Sequence, residues 1–331
     1  MTGWTEGYEG KVVLVTGGMG FIGSNLVHRL AGCTRAEIRV VDSLDCACGG
    51  NPDHLNGIAR PVQEHIFDLR DSRRLSEVVR GVDVIFNLAG RVSHIDSMTD
   101  PLQDLRANSE AHLSLLETCR AVNPAARIVY SSTRQCYGRP QCLPVGEDHP
   151  IVPVDLNGVH KHAAESYHRI YHQVYGMETC ALRLTNTYGP RQFTRHARLG
   201  FIGWFIHQLL CGQEIVLFGD GTQLRDLNYV DCVVEAFLAA GIHPRAPGGI
   251  YNLGSGHPIS LLNLVQIMIE IFGRGSYRLA DFPDERRRID IGSYAGDFSR
   301  ICRELGWHPQ VGIRDGLTRT FDYFRRNPNL L

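Results

Sequence analysis

The sequence carries almost no net charge: 34 lysines and arginines stand against 35 aspartates and glutamates, leaving −1 over 331 residues. There is no basic field to draw in nucleic acid and no polybasic tail for an anionic membrane. An anionic ligand must therefore be held by a few local groups. No apolar run approaches the roughly 20 residues of a spanning helix. The opening stretch, MTGWTEGYEGKVVLVTGG, lacks the basic-then-apolar succession of a secretory signal. These absences set the expectation of a cytoplasmic protein with no nucleic-acid or membrane partner. The ten cysteines are scattered, with only Cys46 and Cys48 close together, and no second pair or histidine pair completes a zinc set. No metal is expected, and most of the cysteines read as reduced, small apolar side chains.

What is present is a 43% hydrophobic chain, enough for a substantial core in one large or two modest domains. The first half alternates short β-branched runs with helical stretches. Strands are expected at Lys11–Thr16, Glu37–Asp42, around EHIFDL (64–69), Val82–Leu88 and Ala126–Ser131, and helices at Gly20–Ala31 and Asn108–Ala121. Such alternation predicts a parallel sheet with helices on both faces, and continuously apolar strands fit a sheet buried on both sides. The second half is less regular: helices at Gly158–Tyr175, Phe201–Cys211, Leu261–Phe272 and Leu317–Phe324, with strands at Thr179–Leu184 and Glu214–Phe218. The fold class is α/β, a Rossmann-like doubly wound parallel sheet with a smaller C-terminal α/β lobe for the substrate.

TGGMGFIG (16–23) follows the first strand directly and opens a helix. Gly17 allows the tight turn, Gly20 lets backbone approach a pyrophosphate, and Gly23 allows close packing of helix on strand. Phe21 and Ile22 lie between them. The helix N-terminus offers free N–H groups and partial positive charge to phosphates. Asp42 ends the second strand, 19 residues after Gly23. A carboxylate there accepts hydrogen bonds from a ribose diol and repels a 2′-phosphate, and Ser43 and Leu44 supply no arginine, so NAD is expected over NADP. Asp68 and Leu69, after the third strand, sit where an adenine would lie; a solvated strand-end acid is the other reading of Asp68. Residues 1–183 are expected to form the NAD-binding domain, with 227–255 returning to it. Residues 184–226 and 256–331 would form the substrate lobe.

The chain resembles the extended short-chain dehydrogenase/reductase family, in particular its nucleotide-sugar epimerases and dehydratases. The likeness covers nearly the whole chain. It rests on TGGMGFIG, NLAG (87–90), Asn108, SSTRQCYG (131–138), LRLTNTYGPRQ (182–192), GDGTQLRDLNYVDC (219–232), YNLGSG (251–256) and LGWHP (305–309). By this resemblance Leu88, Ala89, Gly90 and Asn108 would line the nicotinamide side of the cofactor channel. Thr133 would bond the sugar hydroxyl being oxidised, and Lys161 would hold the nicotinamide ribose. Asn186 would touch the diphosphate. Arg225 would pair with phosphates or base, with Arg287 of the 286–288 arginines completing the clamp. A solvated charge cluster accounts for that run equally well. Pairing into a homodimer through the Asn108–Ala121 and Gly158–Tyr175 helices is also implied.

The catalytic helix departs from the family pattern. Tyr-x-x-x-Lys places a phenol one turn before the lysine, which lowers the phenol's pKa. Here Lys161 is preceded at that distance by Asn157, whose amide can orient a hydroxyl or a water but is no base. His94, in an SHIDS loop that with Ser97 would face the sugar, is the first candidate to take the proton. His160 is the second; Tyr137 and Cys136 lie beside Thr133 and read as packing residues. Dehydratases of the family follow their threonine with Asp-Glu, whereas this chain has Arg134 and Gln135, neither of which exchanges a proton near neutral pH. Arg134 would hold an acidic or extended sugar substituent or, alternatively, an internal salt bridge. The expected activity is NAD-dependent epimerisation of a nucleotide-diphosphate sugar through transient oxidation. A dehydratase, a net oxidoreductase and a non-catalytic sugar-nucleotide binder are the alternatives.

Overall fold

The computed structural model describes residues 4–45 and 48–330, so Cys46, half of the close cysteine pair, lies outside the described residues. The central sheet contains β1 (Val12–Thr16), β2 (Glu37–Asp42), β3 (Gln63–Ile66), β4 (Val84–Asn87), β5 (Arg127–Thr133), β6 (Thr179–Leu184) and an edge strand, Ile250–Asn252. Their order from that edge is Ile250–Asn252, β6, β5, β4, β1, β2, β3, all parallel. Strand order reverses at β1, between β4 and β2, and the crevice beyond the carboxyl ends there is where open α/β sheets take ligands.

Alternation along β1 sends Val13 and Val15 into one apolar layer and Leu14 into the other. The first layer packs α1 (Phe21–Cys33) through Leu26 and Leu30. The second packs α2 (Ser72–Val78) and α5 (Ala111–Val122) through Leu75, Leu115 and Leu116. Between β4 and α5 the chain forms α3 (His94–Thr99), α4 (Pro101–Leu105) and a π turn, Arg106–Glu110. The SHIDS segment expected as a loop is thus the start of α3, capped by Ser93 accepting from Asp96 N. α6 (Leu156–Tyr175) starts two residues earlier than its periodicity suggested, because the Asp155 carboxylate caps it by accepting from Gly158 N at 2.8 Å.

Downstream come α7 (Phe201–Leu210), α8 (Val230–Ile242), α9 (Leu261–Phe272), α10 (Asp284–Ile289), α11 (Ser299–Leu305) and α12 (Ile313–Arg326). α8 carries no polar stripe to betray its period, since it is buried from Val230 through Gly241 except at Asp231 and Glu235. It packs on the same face of the sheet as α1. The strand Ile215–Phe218 pairs in parallel with Tyr277–Ala280, and Leu224–Arg225 pairs with Ile259–Ser260. These short ladders hold the segments that face the crevice from the C-terminal side.

α6 is tied to β6 by a buried ion pair. Arg183 donates from Nε and Nη2 to the two Glu165 oxygens at 2.9 and 2.6 Å, and Ser132 Oγ adds a bond at 2.6 Å. Burial acts to raise the Glu165 carboxyl, but Arg183, His162 and Ser132 outweigh it and hold it down at about 2. Glu165→Gln leaves Arg183 buried without its counter-charge and is expected to cost about 3–5 kcal/mol in urea unfolding. Because the folded value lies below the unfolded one of 4.5, this contribution is complete above about pH 4.5 and is lost as pH falls towards 2. The variant's stability should therefore converge on that of the parent in acid, and a constant gap would contradict the assignment.

Candidate active site

A cleft of about 910 Å³ opens over the carboxyl ends of β1, β4 and β5. At its floor the turn after β1 brings backbone against backbone. Gly17 has φ 68°, and a Cβ there would lie 2.8 Å from Ala89 N. A Cβ on Gly23 would lie 2.1 Å from the Gly17 carbonyl oxygen. Gly20 occupies the N-cap of α1, where no side chain caps the helix and no acid sits in the first turn. The end of the helix is left to an anion. Phe21, Ile22, Leu88, Ala89 and Gly90 continue the wall.

Asp42 closes the far end, buried, accepting from Met19 N and Leu44 N at 2.9 Å each. Burial raises its carboxyl above the ordinary value despite those bonds. Asp68 and Leu69 line the same end, but the Asp68 carboxylate is engaged by Arg70 at 2.9 and 2.7 Å, which holds it below the ordinary value.

Along α6, Lys161 is buried, and its Nζ donates to Ser131 O at 3.3 Å. Burial lowers its ammonium to about 8, with the Asp104 charge pulling upward. One turn earlier, Asn157 Nδ2 donates to Arg91 O at 2.9 Å and Asp104 Oδ2 at 3.0 Å, while its Oδ1 has no partner. Asp104 also receives His160 Nδ1 at 2.7 Å. That bond turns the His160 ring to α4, so His160 does not line the cleft. Asn108, set by the π turn, accepts from Arg91 N at 3.0 Å and leaves its buried Nδ2 unpartnered behind Gly90.

His94, the first residue of α3, lines the cleft beside the N-terminus of α6. Its Nδ1 meets Asp155 Oδ2 at 2.5 Å and its Nε2 meets the Gln135 side-chain amide. The carboxylate places the proton on Nδ1 and leaves Nε2 as an acceptor. Burial acts to raise the Asp155 carboxyl, but His94 and Gly158 N outweigh it and hold it below the ordinary value. Thr133 ends β5 beside them, with its hydroxyl accepting from Gln135 N at 3.2 Å. Arg134, Asn186 and Arg225 line the next stretch of wall. Arg225 Nη2 donates to Asp290 Oδ1 at 3.2 Å.

Ser97 and Arg287, like Asn108 and His160, do not line the cleft. Ser97 is fully buried and returns its hydroxyl to His94 O at 2.7 Å. Arg287 is exposed on α10, donates to Phe282 O at 3.3 Å and does not line the cleft, so Asp290 rather than Arg287 accompanies Arg225. Cys136 and Tyr137 are also off the cleft: burial pushes the thiol up to about 12, and the phenol donates to Asn252 Oδ1 at 2.7 Å. Asp104 and Asp155 escaped the sequence analysis. The Asp-Leu-Asn-Gly cap signature announces Asp155, but nothing local reveals the burial of Asp104.

The NAD dependent epimerase/dehydratase family profile matches residues 13–254. The chain belongs to that family. The UDP-glucose 4-epimerase of Mycolicibacterium smegmatis is 33% identical over 319 residues, which span 94% of this chain and 98% of that one. Among solved structures, the dTDP-glucose 4,6-dehydratase DesIV of Streptomyces venezuelae, determined with NAD bound, is 30% identical with a TM-score of 0.87 over 96% and 98% of the two chains. The UDP-glucose 4-epimerase of Thermotoga maritima, determined with UDP-glucose, is 29% identical with a TM-score of 0.85 over 96% and 99%. The family's cofactor is NAD, and the cradle that a Cβ at Gly17 or Gly23 would fill suits it. Gly23→Ala should therefore weaken NAD by at least about 10-fold and reduce the melting-temperature rise on NAD addition accordingly. An undiminished rise would remove this turn from the cofactor site.

Proposed function

We propose that the protein is a nucleotide-sugar epimerase that oxidises a sugar carbinol and returns the hydride, with His94 as the proton acceptor in place of the family's tyrosine. Bound NAD supplies the hydride acceptor. The observation that carries this reading is the Asp155–His94 pair on the lip of the cleft. Its buried carboxylate orients the imidazole and stabilises the imidazolium formed when Nε2 takes the hydroxyl proton. Thr133 Oγ1 positions that hydroxyl, and the sugar replaces the Gln135 amide at Nε2. The partnerless Asn157 Oδ1 accepts a second hydroxyl. Lys161 holds the cofactor ribose and adds positive charge where an alkoxide develops.

Epimerisation is favoured over 4,6-elimination because Arg134 and Gln135 stand beside Thr133 and neither shuttles a proton. UDP-glucose, dTDP-glucose and related nucleotide sugars are the first compounds to offer, given what the relatives act on. A homodimer formed through α5 and α6 is part of the same proposal, supported by exposed apolar side chains at Leu113 and at Val159, Ile170 and Val174.

In D2O the epimer should form without net NADH and without deuterium at the inverted carbon, because the hydride returns from the cofactor. A 4-keto-6-deoxy product carrying solvent deuterium at C5 would replace this reading with elimination. His94→Asn should lower kcat by about 10²–10⁴-fold with NAD binding intact. Asp155→Asn keeps the helix cap but removes the charge, so it should lower kcat while leaving the melting temperature nearly unchanged. An active His94→Asn enzyme would place the base elsewhere.

A further inference from the structure

Arg134 is the buried cation that this mechanism leaves without a task. Arg134, Arg183 and Arg225 are the buried arginines among the described residues, at 7%, 4% and 8% exposure. Arg183 is held by Glu165, and Arg225 by Asp290 with the Leu224 and Gly292 carbonyls at 2.9 and 2.6 Å. Among the described residues no carboxylate pairs with Arg134 within 4.0 Å. Its Nη2 donates to the neutral Asn186 Oδ1 at 3.4 Å, and its buried Nη1 donates to nothing. Burial, reinforced by the nearby Arg225 charge, lowers the guanidinium to about 10 against the smaller upward pull of Tyr294, Asp226 and Asp290. Asp226, Asp290 and Asp155 feel or offset this charge from a distance, but none is bonded to it, and an anion arriving with the ligand would supply the direct partner.

Position and shape narrow the anion. The guanidinium carbon lies 4.8 Å from the Tyr294 ring centroid, which fixes the plane of its fork. A planar fork matches a carboxylate with two parallel bonds. Arg134 follows Thr133 and precedes Gln135, whose amide meets His94, so it belongs to the sugar end of the cleft. Arg225, already paired with Asp290, is the neighbouring cation on the same wall and is left to the diphosphate. The anion at Arg134 is therefore a substituent of the sugar.

We infer that the preferred substrate is a nucleotide sugar whose sugar bears a carboxylate, and that Arg134 selects it. This rests on the nucleotide-sugar reading above. Arg134 then acts in specificity, and the missing dehydratase acid pair has been exchanged for a carboxylate receptor. The same exchange places a fixed positive charge beside the reacting sugar, where it also anchors the ring against His94.

The test uses the full chain with NAD bound. UDP, dTDP, CDP and GDP are titrated by calorimetry, and the base that binds is carried into its hexose and hexuronate forms. The hexuronate is expected to bind about 10- to 100-fold tighter than the hexose, the range of one charge-assisted contact. In Arg134→Met that preference should collapse to near unity with affinity for the bare diphosphate unchanged, and Arg134→Lys should restore part of it. A wild-type protein that binds hexose and hexuronate equally overturns the inference, and this comparison needs no variant to fold. Equal weakening of diphosphate, hexose and hexuronate in Arg134→Met assigns the residue to the diphosphate and likewise overturns it. If no nucleoside diphosphate binds, the nucleotide-sugar reading itself fails; if one binds without carboxylate preference, only the present inference does.

Discussion

The rest of the site hangs on the buried Glu165–Arg183 pair. It sits where α6 crosses β6, and its two short bonds and the Ser132 hydroxyl fix the helix against the sheet in both rotation and height. Asp155, Asn157 and Lys161 all ride on that helix. A shift of one ångström in α6 would move a cap, an amide and an ammonium together, which is the scale at which catalytic geometry is lost. An ion pair of this kind is weak evidence for net stability, yet breaking it is costly, so its worth lies in registering one element on another.

Buried carboxylates set the polar groups of the cleft one by one. Asp104 receives the Asn157 amide and the His160 ring, which aims the amide oxygen outward and draws the second histidine away. Asp155 caps α6 and holds His94, so one side chain serves both helix and lip. Asn157 is held by two bonds from its amide nitrogen, to Arg91 O and Asp104 Oδ2. On the proposed reading, proton chemistry has passed from the helix itself to the imidazole held at its N-cap by Asp155.

Much of the fold was legible because it is governed by local rules. β1 and the inner half of β2 are written as apolar β-branched runs, and the glycine turn announces itself by position after the first strand. Asp42 ends β2 as its spacing predicted. α8 was hidden for the opposite reason: a helix buried on nearly every side shows no period to read. The first turn of α3 was read as a loop since its few residues carry little pattern, and the start of α6 slipped by two residues because its cap lies outside the periodic stretch.

By itself the sequence determined the α/β class and the dinucleotide turn, because strand burial and glycine geometry follow from near neighbours in the chain. Only the tertiary structure decided how the candidate site residues divide their work. It turned His160 to Asp104, joined His94 to Asp155 across 61 positions, left Arg287 in solvent and buried Arg134 without a carboxylate. The physical reason is that a hydrogen-bond partner and a dielectric are properties of a place, and residues far apart in sequence share a place only once the sheet and α6 have brought them together.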